Sequence, residues 1–373
     1  GRRAWLRAMW TFYVRAGSNP ALGTNFLWGI FVTDMKVLLD TMSGDAPPEE
    51  IIKGAVQALE ESRGTDLTVT LVGTEELNRK EVERLCSDKL NSRISYLHAP
   101  NRISMEDTPT KAVRNNPESS LVKGIKALKD ESQIFISSGN TGAVVAAALF
   151  NLGRIPGVAR PGLAGVIPTV KSGDVVLIDI GATTDANPRN LAQFGLMGDA
   201  FAKNVLGKSE PKIGMLNIGE EQVKGNKLTK ETVSLLKKTD LQYIGNVEPH
   251  LLLTKPPADV VICEGFVGNI LIKAFEGGVE GTVGFFKKAL TSNLRAKLGG
   301  LILRPTLEGL KEELSYAEFG AVPLLGVKGV VFVAHGRSEA RAIKNAILNA
   351  SQASRWDLPG KIEEEIKRID FGD

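Results

Sequence analysis

From Met35 onward the chain alternates short apolar runs with longer stretches whose apolar positions recur every three or four residues. Apolar runs bounded by turn residues predict buried strands, and the longer period predicts helices. Strands are expected over residues 36–40, 67–72, 93–97, 133–137, 162–168, 174–179, 212–217, 242–245, 259–263 and 329–334. Helices are expected over 48–62, 75–86, 119–130, 141–152, 191–205, 227–238 and 338–353. Pro48 followed by Glu49 and Glu50 suits a first helical turn, and Ser119 suits an N-cap. This alternation predicts an α/β fold, a three-layer αβα sandwich with a mostly parallel sheet. In such sheets ligands gather beyond the carboxyl ends of the strands.

One stretch departs from the pattern. Phe286, Leu290, Leu294 and Leu298 are spaced by four, and Leu303, Leu307, Leu310 and Leu314 follow at four, three and four. A protruding helical hairpin is expected over residues 283–314, with Pro305 in the first turn of its second helix. Leu298, Leu301, Ile302 and Leu303 around Gly299 and Gly300 would form an apolar tip flanked by Arg295, Lys297 and Arg304. The tip reads either as a hairpin packed on the core or a second copy, or as a membrane-touching or acyl-receiving element. Lys287, Lys288, Arg295, Lys297 and Arg304 read either as a solvated helix face or as a docking face for an acidic protein.

Residues 35–355 are expected to form the catalytic α/β domain, hairpin included, and residues 356–373 a polar C-terminal tail. Residues 1–34 differ in composition, with three of the four tryptophans (Trp5, Trp10 and Trp28). They read as a tag, as upstream translation or as an interfacial segment.

Composition narrows the classes. The 373 residues are 43% hydrophobic and 24% charged, ordinary for a globular enzyme. A net charge of +3 without a basic block argues against nucleic acid. Cys86 and Cys263 sit in no CxxC or Cys/His cluster, so neither a disulfide scaffold nor a zinc site is expected, and a cytoplasmic setting is. No apolar run is long enough to span a bilayer.

The candidate chemistry lies at strand ends. Ser137-Ser138-Gly139-Asn140-Thr141-Gly142 joins an apolar strand to an apolar helix. It reads as a phosphate cradle, with small residues and a helix N-terminus facing an anion, or as a capped βα turn. Asp179 with Asp185, Asn217 with Glu220, Lys224 and Asn226, Asn246 with Glu248, and Glu264 with Asn269 end four further strands. Together they are expected to converge as a polar rim around the cradle. No GxSxG elbow, HExxH or GxGxxG is present. Cys263, in an apolar strand, reads as inert core. The residues alone imply a phosphate-binding α/β enzyme without an evident nucleophile, metal site or dinucleotide loop.

Taken together the motifs resemble one family, the phosphate acyltransferases of bacterial phospholipid synthesis (PlsX). The resemblance runs from Met35 to about Ala353. Its carriers are Asp40-Thr-Met-Ser-Gly-Asp45, Met105-Glu-Asp-Thr-Pro-Thr-Lys111, Ser138-Gly-Asn-Thr-Gly-Ala143, Asp179-Ile-Gly-Ala182 and Asn217-Ile-Gly-Glu-Glu221. Ile244-Gly-Asn-Val-Glu248, Gly265-Phe-Val-Gly-Asn-Ile270, Pro323-Leu-Leu-Gly326 and Ala334-His-Gly336 follow in order. The opening motif usually reads Asp-Ala-Met-Gly-Gly-Asp, so Thr41 and Ser43 are departures, and Ser43 falls where a left-handed turn would favour glycine.

The resemblance implies a fold like phosphotransacetylase and the isocitrate/isopropylmalate dehydrogenases. It implies transfer of an acyl group from acyl carrier protein to inorganic phosphate, with no cofactor and no metal. It also implies a homodimer, peripheral membrane association and a product passed to a membrane glycerol-phosphate acyltransferase. The phosphate is expected on Ser138, Gly139, Asn140, Thr141, Gly142, Lys224 and Asn226. Asn217 or Asn269 would donate to the oxyanion, Asp179 would orient the site and Lys171 would supply charge. A phosphotransacetylase or phosphotransbutyrylase using acyl-CoA, a decarboxylating dehydrogenase with Asp179 and Asp185 as metal ligands, and a noncatalytic membrane module stand as alternatives.

Overall fold

The computed structural model describes residues 35–86, 88–128, 133–170, 173–313, 320–353 and 356–369. Residues 1–34 and Lys171 lie outside the described residues. Contacts divide the chain into two units, one holding residues 34–273 and 316–373, the other including residues 274–315.

The larger unit is built on an eleven-stranded sheet in the order β3-β2-β1-β4-β11-β10-β5-β6-β9-β7-β8. The strands are β1 Lys36–Asp40, β2 Thr68–Gly73, β3 Ile94–His98, β4 Gln133–Ser137, β5 Gly162–Ile167, β6 Val175–Ile178, β7 Lys212–Leu216, β8 Gln242–Val247, β9 Val260–Ile262, β10 Ala321–Leu325 and β11 Val330–Ala334. Seven neighbouring pairs are parallel and three antiparallel, so the mostly parallel sheet is as expected. The central strands are continuous apolar runs such as Val175–Ile178, buried on both faces.

The antiparallel pairs lie together, at β11–β10, β10–β5 and β5–β6. Three reversals leave β1, β2, β3, β4 and β11 pointing one way and β6, β7, β8 and β9 the other. Strand β10 was not foreseen, because Pro323 interrupts its apolar run. Pro323 pairs in register with Phe332, although proline withholds an amide from the ladder.

The helices of this unit are α1 Pro48–Glu61, α2 Glu75–Leu85, α3 Asp88–Asn91, α4 Pro109–Asn115, α5 Ser120–Lys126, α6 Thr141–Asn151 and α7 Pro188–Asn204, followed by α8 Lys227–Leu236. Ser119 caps α5 as expected, accepting from the Val122 amide. The most buried is α7, every residue of which from Asn190 to Ala202 is buried. Asn187 and Asn190 close its N-terminus reciprocally.

Helices α9 Gly265–Leu290, α10 Leu294–Glu313, α11 Ala340–Ala353 and α12 Leu358–Lys367 complete the set. The polar tail expected over 356–373 is instead mostly α12. Leu358, Ile362 and Ile366 lie one turn apart and enter the core beside α7.

The helical pair also departs from expectation. Its first helix, α9, begins at Gly265, and the break falls at Thr291–Asn293 rather than at Gly299–Gly300. Asn293 accepts from the Ala296 amide and so opens α10. Leu298, Leu301, Ile302 and Leu303 therefore lie within α10 and not at a tip. They are solvent-exposed, Ile302 at 74%. Pro305 lies inside the same helix rather than in its first turn.

Candidate functional site

Strands β1, β4 and β11 are neighbours of one direction, so the turns after them meet at one edge of the sheet. Asp40 ends β1 and is fully buried. Its Oδ1 accepts from the amides of Met42 and Ser43 at 3.0 and 3.2 Å, which curls the chain into a turn. Its Oδ2 accepts from the Ser137 hydroxyl at 2.8 Å, tying that turn to the end of β4. Ser138 donates to the Ser43 carbonyl at 2.9 Å, adding a second tie. The Asp45 amide donates to the Gly336 carbonyl at 2.8 Å, bringing in the turn after β11. Ser43 does not carry a positive φ; the left-handed residue is Gly44, at φ 100°. The Ser43 substitution is thus compatible with the turn.

Within this frame lies the N-terminus of α6. The amides of Thr141 and Gly142 fall in its first turn, where no intrahelical acceptor exists. They and the positive end of the helix dipole form an anion site made of backbone. The Asn140 side chain is committed elsewhere. Its Oδ1 accepts from the Ala143 amide at 3.2 Å, and its Nδ2 donates to the carbonyls of Met105 and Asp107 at 3.0 and 3.2 Å. Ser138 is committed likewise, so both are scaffold rather than free donors. His335 enters the same cluster, where its Nδ1 accepts from the Arg337 amide at 3.2 Å. A neutral imidazole in that arrangement carries its proton on Nε2.

The four strand ends expected to form a polar rim lie on the opposite sheet edge from the cradle. Strands β6, β9, β7 and β8 are parallel neighbours, so Asp179, Glu264, Asn217 and Glu248 follow strand ends on one side. The strand reversals place these ends opposite the α6 cradle. The rim therefore does not surround the cradle within this chain.

At the rim Asp179 is fully buried. Its Oδ1 accepts from Leu163, Gly181 and Ala182, each at 2.9 Å, and its Oδ2 from Thr183 at 2.6 Å. Burial pushes its pKa up, and these four amides pull it back. All four of these partners are backbone amides, three of them in the loop that follows, so Asp179 organises the loop backbone. The start of α9 packs on it so closely that a side chain at Gly268 would run into the Asp179 carbonyl oxygen. Cys263 is buried and donates its thiol to that carbonyl at 3.3 Å. Burial raises its pKa well above the usual range, as an inert core thiol requires.

The remaining predicted residues are placed as follows. Asn217 donates from Nδ2 to the Lys224 carbonyl at 3.3 Å, and its Oδ1 lies 2.8 Å from the Ile218 amide. Asn226 is the N-cap of α8. Lys224 is exposed. Asn269 lies one turn into α9, its Nδ2 3.1 Å from where a Gly181 side chain would begin. Glu264 has its pKa raised by burial and by the nearby Asp185. Lys287, Lys288, Arg295, Lys297 and Arg304 belong to the α9–α10 unit and are exposed. Among the described residues no His/Cys/Asp/Glu group is arranged to hold a metal, and no helix is long and apolar enough to cross a membrane. A cavity of about 20 Å³ lined by Ile155, Leu324, Leu358 and Ile362 is apolar and barely water-sized, too small for a substrate.

Sequence reasoning missed Asp40 and Gly336 as parts of the cradle. Asp40 could have been found from its position, an Asp ahead of a Ser-Gly turn at a strand end.

Residues 35–360 match the model of a family described as fatty acid synthesis protein. The chain is 42% identical over 337 residues to phosphate acyltransferase of Halothermothrix orenii, covering 90% of this chain and 99% of the relative. It is 43% identical over 342 residues to phosphate acyltransferase of Dictyoglomus thermophilum, covering 91% and 100%. Among solved structures, a phosphotransacetylase from Streptococcus pyogenes superposes with a TM-score of 0.53 at 17% identity, covering 87% of this chain and 95% of that one. A branched-chain phosphotransacylase from Enterococcus faecalis gives 0.52 at 14%, covering 86% and 99%. These last two likenesses bear on the fold alone.

Proposed function

The chain belongs to the fatty acid synthesis protein family, whose curated relatives are phosphate acyltransferases, and from that premise we propose that it transfers an acyl group from acyl carrier protein to inorganic phosphate. The observation that carries the reading is the α6 N-terminus, a backbone anion site framed by the turns after β1, β4 and β11. Phosphate lies against the first-turn amides, chiefly those of Thr141 and Gly142, with Gly139 and Asn140 shaping the loop. A phosphate oxygen attacks the thioester carbonyl carbon. The tetrahedral intermediate then expels the carrier thiolate, leaving an acyl phosphate. A fixed anion site contributes by holding the nucleophile in place, which offsets entropy that a bimolecular encounter would cost.

The Asn217–Asn226 loop, Asn269 and Lys224 remain candidate substrate contacts only if a second copy supplies them, since in one chain they follow strands of the opposite direction. A homodimer is therefore part of the proposal. The cations Lys287, Lys288, Arg295, Lys297 and Arg304 are proposed to receive the acidic carrier. The exposed Leu298, Leu301, Ile302 and Leu303 are proposed to rest on the cytoplasmic membrane surface, where a glycerol-phosphate acyltransferase would take the product.

The test is a product assay. Purified protein, acyl–acyl carrier protein and phosphate should yield an acyl phosphate trapped by hydroxylamine, with rate saturating in phosphate. Equal turnover with acyl-CoA would move the reading to a phosphotransacylase. No phosphate-dependent product with either donor would sink it.

A further inference from the structure

The cradle contains one polar group that its geometry leaves unused. Ser43 is 1% exposed, and its hydroxyl has no hydrogen-bond partner among the described residues. The other polar groups of Ser43 are committed. The Ser43 amide donates to Asp40, and the Ser43 carbonyl accepts from Ser138. A buried hydroxyl without a partner is costly, and native structures keep few of them.

Its location is informative. A side chain built on Gly139 would begin 2.7 Å from Ser43 Cβ, 3.3 Å from Ser43 Oγ and 3.2 Å from Ser137 Oγ. The two hydroxyls thus flank one point beside Gly139, in the loop that opens α6, and a larger residue there would displace both. Ser137 Oγ donates its only proton to Asp40 Oδ2 and accepts the Gly139 amide at 3.1 Å. The Gly139 amide lies two residues before Thr141, the first of the helix's first-turn amides. In a backbone nest successive amides turn toward a bound anion. An amide that turns away from Ser137 leaves that oxygen without a donor, and Ser43 carries an unused one.

We propose that Ser43 is a positioning residue of the cradle, whose hydroxyl donates to Ser137 Oγ when the Gly139 amide swings from Ser137 onto a bound phosphate oxygen. The inference rests on the cradle reading given above. Asp40, Ser137 and Ser43 then form a hydrogen-bonded chain in the occupied site, and the empty site carries the cost of the orphan hydroxyl. Ser43 touches no substrate; it acts through Ser137 and Gly139.

The test uses the full chain with Ser43→Ala and inorganic phosphate. Without phosphate the variant should melt no lower than the parent, because the hydroxyl it lacks is unbonded there. The phosphate-induced rise in Tm should be smaller in the variant. The KM for phosphate should rise roughly three- to tenfold, the worth of one hydrogen bond, while kcat changes less. Identical phosphate KM and Tm rise in variant and parent would overturn the proposal. So would a variant less stable than the parent without phosphate, which would show the hydroxyl bonded in the empty site. Asn140→Asp separates this from the cradle reading, since it keeps a helix cap but sets a negative charge beside the anion. If Asn140→Asp raises the phosphate KM and Ser43→Ala does not, only the role of Ser43 falls. If neither variant moves it, the cradle reading falls as well.

Discussion

Asp40 and Asp179 are both fully buried, each at the end of a strand, and each carboxylate gathers amides of the turn that follows it. Their strands, β1 and β6, point in opposite directions, so one device is used at both edges of the sheet. At the first edge it leaves an open helix N-terminus beside the turn. At the second it gathers the amides of Leu163, Gly181, Ala182 and Thr183. The difference separates a site that can accept an anion from one that is already filled by its own carboxylate.

Asp179→Asn tests that distinction. An asparagine amide would turn a donor toward at least one of four backbone N–H groups. The variant should lose about 2–4 kcal/mol of stability in urea unfolding at pH 7. Full stability with lost turnover would instead mark Asp179 as a direct participant in the chemistry.

Asn140→Ala should lower both stability and phosphate affinity. The side chain caps α6 and pins the carbonyls of Met105 and Asp107. Loss of the cap alone should cost about 1–2 kcal/mol. Thermal unfolding together with phosphate kinetics would register both effects, and an unchanged Tm would contradict the capping geometry.

Glu50 should report on pH. Its Oε2 accepts from the Ala340 amide at the start of α11, and Lys53 lies 3.2 Å from Oε1. The Ala340 bond, then Lys53, lower its pKa. A lowered carboxylate contributes stability above the unfolded glutamate range of about 4.3, lost as pH falls through the folded value. The Tm gap between parent and Glu50→Gln should therefore be present at pH 7 and close in acid. A gap that widened in acid would reverse the sign.

Leu301→Asp with Ile302→Asp addresses the helical pair. The side chains are 69% and 74% exposed, so stability should change little. Sedimentation with anionic phospholipid vesicles should fall several-fold if these residues meet lipid. Unchanged sedimentation would remove the membrane role from α10.

Much of the fold was legible because buried strands are apolar runs that need no partner to be seen. Strand β10 was hidden by Pro323, and α12 by charged residues between Leu358, Ile362 and Ile366. The break before α10 was misplaced because the glycine pair at 299–300 looked like a stop, whereas the Asn293 cap sets the boundary. The cradle itself could be read from its small residues and following helix. The roles of its side chains could not, because their partners are distant in sequence. Ser137 meets Asp40 across 97 residues and Ser138 meets Ser43 across 95. Short polar residues expected to face a ligand, such as Asn140, Asn217 and Asn226, prove to hold turns. The direction of the rim depends on three strand reversals that no local motif records.

Strand β11 lies between β4 and β10, near the middle of the sheet, yet is the last strand to be made. During synthesis β3, β2, β1 and β4 can assemble early, leaving the β4 flank as a bare edge for nearly two hundred residues of further translation. The turn that completes the anion site arrives on that same late strand. Nascent chains stalled before residue 330 would carry an open, apolar sheet edge and an incomplete site, so chaperone capture should peak there and phosphate binding should appear only after release.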